Sequence, residues 1–324
     1  MFSLKETYKN GFDIIVLADN SSNTTVEVIP GCGAMLHAFT AQEDDFLLNI
    51  IDSYTSKTEY DTAAESNGFK GLKLSPFPCR IQNATYRFNE TRYRFNSNLF
   101  NGSVMHGFLY NKSFTVKEQS ADEHSAVVAM SYTYTGDNEG YPFSYTCTVV
   151  YRLKKGNCLV VETQVANTGN TAMPVADGWH PYFSFHKKVD ELELQFNATN
   201  MLEFVNLIPT GAVIADSTFL KPCLVGNRDI DNSFILDFTL SQPMCILRDP
   251  SSGWQLEIAP DQSYPYLQVY IPPHRNSIAI ENLSAPPDAF NNTIGLVALE
   301  PGKTISFTTT YRLYKTTYTD KSIR

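Results

Sequence analysis

Two side chains in this sequence sit where a proton could be moved. His180 lies in Asp177-Gly178-Trp179-His180-Pro181-Tyr182-Phe183, an imidazole among a glycine, a proline and three aromatic rings. Such neighbours hold an imidazole in place, and aromatic faces offer apolar contact to the C–H groups of a ligand. Glu281 follows the apolar run Ile278-Ala279-Ile280 and leads into Asn282-Leu283-Ser284-Ala285-Pro286-Pro287-Asp288-Ala289-Phe290. A carboxylate that continues such a run is costly to bury unless it is hydrogen-bonded or functional. Together they offer a general acid and a general base, each worth roughly 10²- to 10⁴-fold in rate when its pKa suits the task. Taken singly, each also has an ordinary reading: a core histidine with both nitrogens satisfied, and a charge at a strand end.

Further segments carry polar groups at turns. They are Ser75-Pro76-Phe77-Pro78-Cys79-Arg80-Ile81, Val104-Met105-His106-Gly107-Phe108, and the acidic turn Arg228-Asp229-Ile230-Asp231-Asn232-Ser233-Phe234 ahead of an expected strand from Phe234 to Phe238. Each alone reads as a surface ion pair, a structural His-Gly dipeptide or a plain turn. No Walker loop, GxGxxG, GxSxG or HExxH is present, which removes the common nucleotide, nucleophilic-serine and zinc-protease chemistries. The histidines are 37, 106, 124, 180, 186 and 274, of which only His180 and His186 lie close in sequence. No metal site is expected from them.

The elements that must position these groups are strands. Period-two alternation, broken by Gly, Asn, Asp and Pro, recurs at Asp13 to Leu17, Thr25 to Ile29, Ser125 to Thr133, Phe143 to Leu153, Cys158 to Val165 and Ile305 to Leu313; this is the pattern of half-buried strands. Lys155-Gly156-Asn157 joins two of the runs and supplies the glycine a tight hairpin needs. Arg87, Arg92 and Arg94 alternate with Tyr86, Phe88, Tyr93 and Phe95, a half-solvated ribbon. Helix signals are confined to Glu43 to Ser53 and Asp61 to Ser66, too few for an α/β fold, which needs a crossover helix between most strands. With no linker and no internal repeat, the chain is expected to form one domain over residues 1–324, an all-β, large antiparallel β-sandwich with few short helices.

Hydrophobic residues are 43% of the 324 and aromatics 13%, enough for a sizeable core and too much for a disordered chain. The net charge of -9 gives no footprint for nucleic acid or an anionic membrane and suits a neutral small molecule. Six cysteines without a CxxC pair read as reduced thiols. The N-terminus lacks the apolar stretch of a signal peptide, and no run is long enough to span a bilayer, so the expected location is cytoplasmic. The Asn-x-Ser/Thr matches, such as Asn83 and Asn282, then carry no meaning.

The order of the segments is informative: Arg80, His106-Gly107, His180-Pro181-Tyr182-Phe183, an Asp turn, then Ile280-Glu281 followed by Ala285-Pro286-Pro287-Asp288-Ala289-Phe290. In this the sequence resembles the aldose 1-epimerase (galactose mutarotase) family, from Pro30-Gly31-Cys32-Gly33-Ala34-Met35-Leu36 to Leu299-Glu300-Pro301-Gly302-Lys303-Thr304 and the closing strand. The resemblance implies a large sandwich with a sugar cleft, no metal and no organic cofactor. It implies Glu281 as general base and His180 as general acid, with Arg80, His106 and Asp231 holding ring hydroxyls; Asp229 is the alternative to Asp231. Ring opening and reclosure at C1 would interconvert α and β anomers of a free hexose. That chemistry asks for an ionised carboxylate and a protonated imidazole in the resting protein, stabilised by their opposite charges. A hexose-6-phosphate 1-epimerase and a non-catalytic carbohydrate-binding protein are the rival readings. The only partner implied is the sugar, taken up by a monomer or homodimer.

Overall fold

Alternation in the sequence becomes strand after strand in the computed structural model, which describes residues 1–43, 46–96 and 99–316. The expected strands lie at Phe12–Asp19, Thr24–Ile29, Ser125–Tyr134, Tyr145–Lys154, Cys158–Asn167 and Thr304–Lys315, each within two residues of the periodic run. Gly156 and Asn157 both take positive φ, and the strands they join pair from Lys154 with Cys158 onward. In the Arg/Tyr ribbon, Tyr86 and Phe88 are buried while Arg87, Arg92 and Arg94 are exposed.

Two large antiparallel sheets make the sandwich. One runs Thr115–Ala121, Ser125–Tyr134, Tyr145–Lys154, Cys158–Asn167, Thr304–Lys315, Trp254–Pro260, Cys245–Arg248, Glu193–Phe196, Cys223–Leu224. The other runs Ile208–Ala215, Asn200–Val205, Asp231–Ile235, Tyr266–Tyr270, Ile278–Leu283, Gly178–Trp179, Lys73–Leu74, with Tyr182–Phe183 and Ile51–Asp52 beside it. Aromatic pairs close the space between them: Phe183 with Tyr311 at 5.9 Å, Tyr264 with Phe307 at 5.5 Å, Tyr151 with Trp179 at 6.0 Å. Such pairs add specific geometry to the area they bury. A five-stranded sheet from Phe2–Lys9 to Phe46–Asn49 packs into the same core.

The Ile278–Leu283 strand is buried along its whole length, which explains why its sequence does not alternate. Asn282 faces the opposing sheet, donating to Thr309 Oγ1 at 3.0 Å. Its neighbour Glu281 therefore points the other way.

Three expectations change. Glu43 to Ser53 is not a helix: its described part forms strands at Phe46–Asn49 and Ile51–Asp52, with residues 44 and 45 outside the described residues. Pairing with Met35–Glu43 outweighs a weak local propensity there. The second helix lies at Lys57–Ala63, earlier than Asp61 to Ser66, because Ser56 caps it by accepting from the Glu59 N–H at 3.1 Å. Finally, Asp231 does not precede a strand but begins one, Asp231–Ile235.

All six cysteines are free. No helix among the described residues is long and apolar enough to cross a membrane.

Gly33 has φ +65°, and a Cβ there would lie 2.3 Å from the carbonyl oxygen of Tyr110, whereas Gly102 at φ +80° has nothing within 4 Å. Gly33→Ala is expected to cost about 2 kcal/mol or more and Gly102→Ala only about 1 kcal/mol. Chemical denaturation of the two variants checks the difference.

Candidate active site

Glu281 reaches a cavity because of register. In the sheet it pairs with Gln268, which pairs in turn with Ser233; two residues along, Tyr270 pairs with Asp231. Directly paired residues share a face, as do residues two apart. One wall of the cavity is thus a polar patch drawn from three adjacent strands. Within it Ser233 donates from Oγ to Gln268 Oε1, and Gln268 Nε2 donates to Asp231 Oδ1 at 2.7 Å.

His180 enters from the neighbouring segment, between Gly178–Trp179 and Tyr182–Phe183. Its backbone N–H donates to Leu72 O at 3.2 Å and its carbonyl accepts from Gly71 N–H at 2.9 Å. The Tyr182 ring stacks on the imidazole at 5.0 Å, 5° from parallel. Held this way, His180 Nε2 lies 3.4 Å from Glu281 Oε1, both side chains buried.

Arg80 and His106 come from one short strand pair, in which Arg80 lies opposite Met105, the residue before His106. His106 takes φ +58° and Gly107 φ +66°; a Cβ on Gly107 would lie 2.0 Å from Ser75 O, so glycine is required. The Cys79 N–H donates to His106 Nδ1 at 3.2 Å, which leaves the proton of the neutral ring on Nε2. The Pro-Pro-Asp loop fixes Arg80 from the other side: Asp288 N–H donates to Arg80 O at 2.7 Å, and Asp288 Oδ1 accepts from Gln82 N–H at 2.8 Å.

All five residues expected to serve a ligand, Arg80, His106, His180, Asp231 and Glu281, line one cavity of about 340 Å³. Asp229, the alternative to Asp231, lies outside it, fully exposed and 3.3 Å from Arg275. Larger cavities of about 690 and 540 Å³ contain none of the five; the buried His180–Glu281 contact, not size, picks the site. Sequence reading missed Gln268, Tyr270, Phe69 and Glu65, which share the lining. Gln268 and Tyr270 occupy the polar face of Tyr266-Leu267-Gln268-Val269-Tyr270, a visible alternation whose partner strand only the register reveals.

Burial dominates the electrostatics. It pulls His180 down to about 3 and His106 well below the usual imidazole value, with the neighbouring His180 and Arg80 charges adding to the effect at His106. Burial pushes Glu281 well above the ordinary carboxylate value, helped by Asp231. It also raises Asp231, against the pull of Arg80 and Gln268. The expectation of a resting ion pair is therefore opposed: desolvation favours a neutral imidazole and a carboxylic acid. Among the described residues Glu281 Oε2 and His180 Nδ1 are buried without a hydrogen-bond partner, a cost that again favours the uncharged forms.

The family model for aldose 1-epimerase matches residues 13–312. The YihR protein of Escherichia coli K12, described as uncharacterized, is 28% identical over 251 residues, 72% of this chain and 75% of that one. A galactose mutarotase-like protein from Clostridium acetobutylicum superposes with a TM-score of 0.86 at 19% identity, over 97% of this chain and 99% of that one. Galactose 1-epimerase from Lactobacillus acidophilus does so at 0.79 and 19%, over 97% and 99%. At these identities the likeness to the solved structures speaks for a shared fold.

The pKa directions set a pH signature. Because burial lowers His180 to about 3 from 6.5, the unfolded chain binds more protons there between those values, and stability falls as pH drops through that window. Glu281 acts oppositely, its raised folded pKa losing stability as pH rises above 4.5. NMR of the free protein is expected to show His180 neutral at pH 6 and the Glu281 carboxyl still protonated above pH 4.5. A His180 midpoint at or above 6.5 contradicts this.

Proposed function

The chain belongs to the aldose 1-epimerase family, and on that premise we propose that it interconverts the α and β anomers of a neutral free hexose, with Glu281 as general base and His180 as general acid. The observation that carries this reading is the 3.4 Å approach of His180 Nε2 to Glu281 Oε1 in the buried wall of a cavity of monosaccharide size.

The reaction moves one proton inventory around a ring. Glu281 takes the proton from the C1 hydroxyl, a C=O bond forms at C1, the C1–O5 bond breaks, and O5 takes a proton from His180. Rotation about C1–C2 presents the other face of the aldehyde, and reclosure returns each proton by the reverse path. No covalent intermediate forms, and no metal or organic cofactor enters a step. Desolvation places the resting proton on Glu281; transfer to His180 leaves the net charge of the pair unchanged. Sugar hydroxyls donating to the Glu281 carboxylate would favour the ionised form as the site fills. Arg80, neutral His106 as an Nε2–H donor, and Asp231 braced by Gln268 would hold ring hydroxyls and keep the open chain from drifting.

The charge of the lining favours a neutral sugar over a phosphate ester. Glu65, Asp231 and Glu281 face the cavity with Arg80 as the one cationic side chain among its described lining residues, whereas a phosphoryl group calls for several cationic contacts. A non-catalytic sugar-binding protein has no use for an imidazole and a carboxylate in contact and without other partners. The same reading takes the chain as one domain working as a monomer or homodimer.

Polarimetry on freshly dissolved α-glucose and α-galactose tests it. Glu281→Gln and His180→Asn are expected to slow equilibration by roughly 10²- to 10⁴-fold, and Arg80→Gln by less, mainly through KM. A Glu281→Gln protein as fast as the parent sinks the mechanism. Activity on glucose 6-phosphate far above that on glucose overturns the substrate class.

A further inference from the structure

Beneath the site lies an ion pair that the reaction does not use. Lys73 Nζ and Asp177 Oδ2 are 2.6 Å apart and neither side chain is exposed to solvent. We propose that Lys73 and Asp177 are positioning residues for the proton-transfer pair, fixing the His180 segment against the Glu281 strand and so setting the gap across which the proton moves. The inference rests on the acid–base reading above and extends it to residues outside the cavity.

Lys73 grips three consecutive residues that lead into His180. Its ammonium meets the Asp177 carboxylate, donates to the Gly178 carbonyl at 3.0 Å and sits 4.6 Å from the Trp179 ring. The two residues before Lys73, Gly71 and Leu72, hold the backbone of His180 itself. Segment 71–73 is therefore a clamp on segment 177–180. Asp177 carries the constraint to the other strand: its N–H donates to Ser284 Oγ at 2.7 Å, and Ser284 N–H donates back to its carbonyl at 2.9 Å. Gly178 lies opposite Leu283, two residues from Glu281, in a space too small for a Cβ, which would meet Leu283 at 2.6 Å. Tyr264 completes the network by donating to Asp177 Oδ2 at 2.7 Å.

Stability alone is a poor account of such a pair. Well-packed apolar side chains often replace a buried ion pair at no loss, since each charge gives up its hydration. Asp177 Oδ1 has no partner among the described residues, so the network is not tuned for stability either. Position is a better account, because a shift of about 1 Å in reacting groups can cost on the order of 10²-fold in rate.

The decisive variant is Lys73→Met with Asp177→Asn, which removes both charges while nearly keeping volume. Expected is a folded protein with a melting temperature near the parent's, kcat lower by roughly 10- to 100-fold and KM within about threefold. The His180 imidazole resonances should also move. Tyr264→Phe removes one hydroxyl, which meets Asp177 and Thr163, and serves if the double variant does not fold; about a threefold or larger loss of kcat is expected from it, with the same displaced resonances. Parent-like kcat and unmoved His180 resonances in the folded double variant, or in Tyr264→Phe if the double variant fails to fold, overturn the proposal. If the parent equilibrates no sugar at all, the functional reading fails, and the imidazole resonances still judge the clamp.

Discussion

A carboxylate in the interior of a strand buried on both faces cannot be hydrated by bulk water, so its surroundings must be built for it. Glu281 is in that position: Ile280 and Asn282 point to the opposing sheet, and Glu281 alone among the three points to the cavity. The neighbours it meets are the ones the register supplies. Gln268 lies directly opposite it, Ser233 orients Gln268, and Asp231 is reached through the Gln268 amide. Its other neighbour is the His180 imidazole, brought in by a separate segment that must itself be anchored. None of the strand neighbours donates to Glu281: its polar contact is His180 at 3.4 Å, and Oε2 has no partner among the described residues, so burial of the carboxyl is left largely uncompensated.

The same desolvation sets where the proton of the pair rests. In water an imidazole and a carboxylate beside each other would settle as an ion pair. Here burial acts on both charged forms, drawing His180 down to about 3 and Glu281 upward, so the neutral tautomer is favoured until a ligand arrives. Two groups this close titrate as a unit, and the one-proton state spans a wide range of pH. In the proposed reaction, a sugar hydroxyl against Glu281 tips that proton toward His180 without the entry or loss of any charge. Electrostatic interactions inside so dry a wall are stronger than at the surface, which makes the balance sensitive to small displacements.

Much of the fold was legible in the sequence because strands advertise themselves by period. Six periodic runs and the Lys155-Gly156-Asn157 hairpin appear where the alternation puts them. The region from Glu43 to Ser53 misled because its strands owe their state to pairing, Phe46–Asn49 with Met35–Glu43 and Ile51–Asp52 with the distant Tyr182–Phe183. The site was legible for a different reason. Arg80, His106, His180, Asp231 and Glu281 were each ambiguous alone, and only their order along the chain joined them. Gln268 and Tyr270 stayed hidden since their role depends on the strand that lies beside theirs. Lys73 stayed hidden because a lone lysine in Gly71-Leu72-Lys73-Leu74 gives no sign that its ammonium is buried under a tryptophan.

The motif segments also share a backbone property that explains their odd composition. Cys79, His106 and Asp288 all take positive φ, and Gly107 must be glycine. Positive φ reverses the chain within one or two residues, which is how the short strands Arg80–Ile81 and Ser103–Met105 bring Arg80 and His106 to the cavity lining. The long strands obey the opposite rule. Their side chains alternate strictly, so a slip of one residue in the Ile278–Leu283 strand would send Glu281 into the core and Asn282 into the cavity. The turns can tolerate local adjustment; the register cannot. The hydrogen bonds between Asp177 and Ser284, just past the end of that strand, add to the pairing that holds the register.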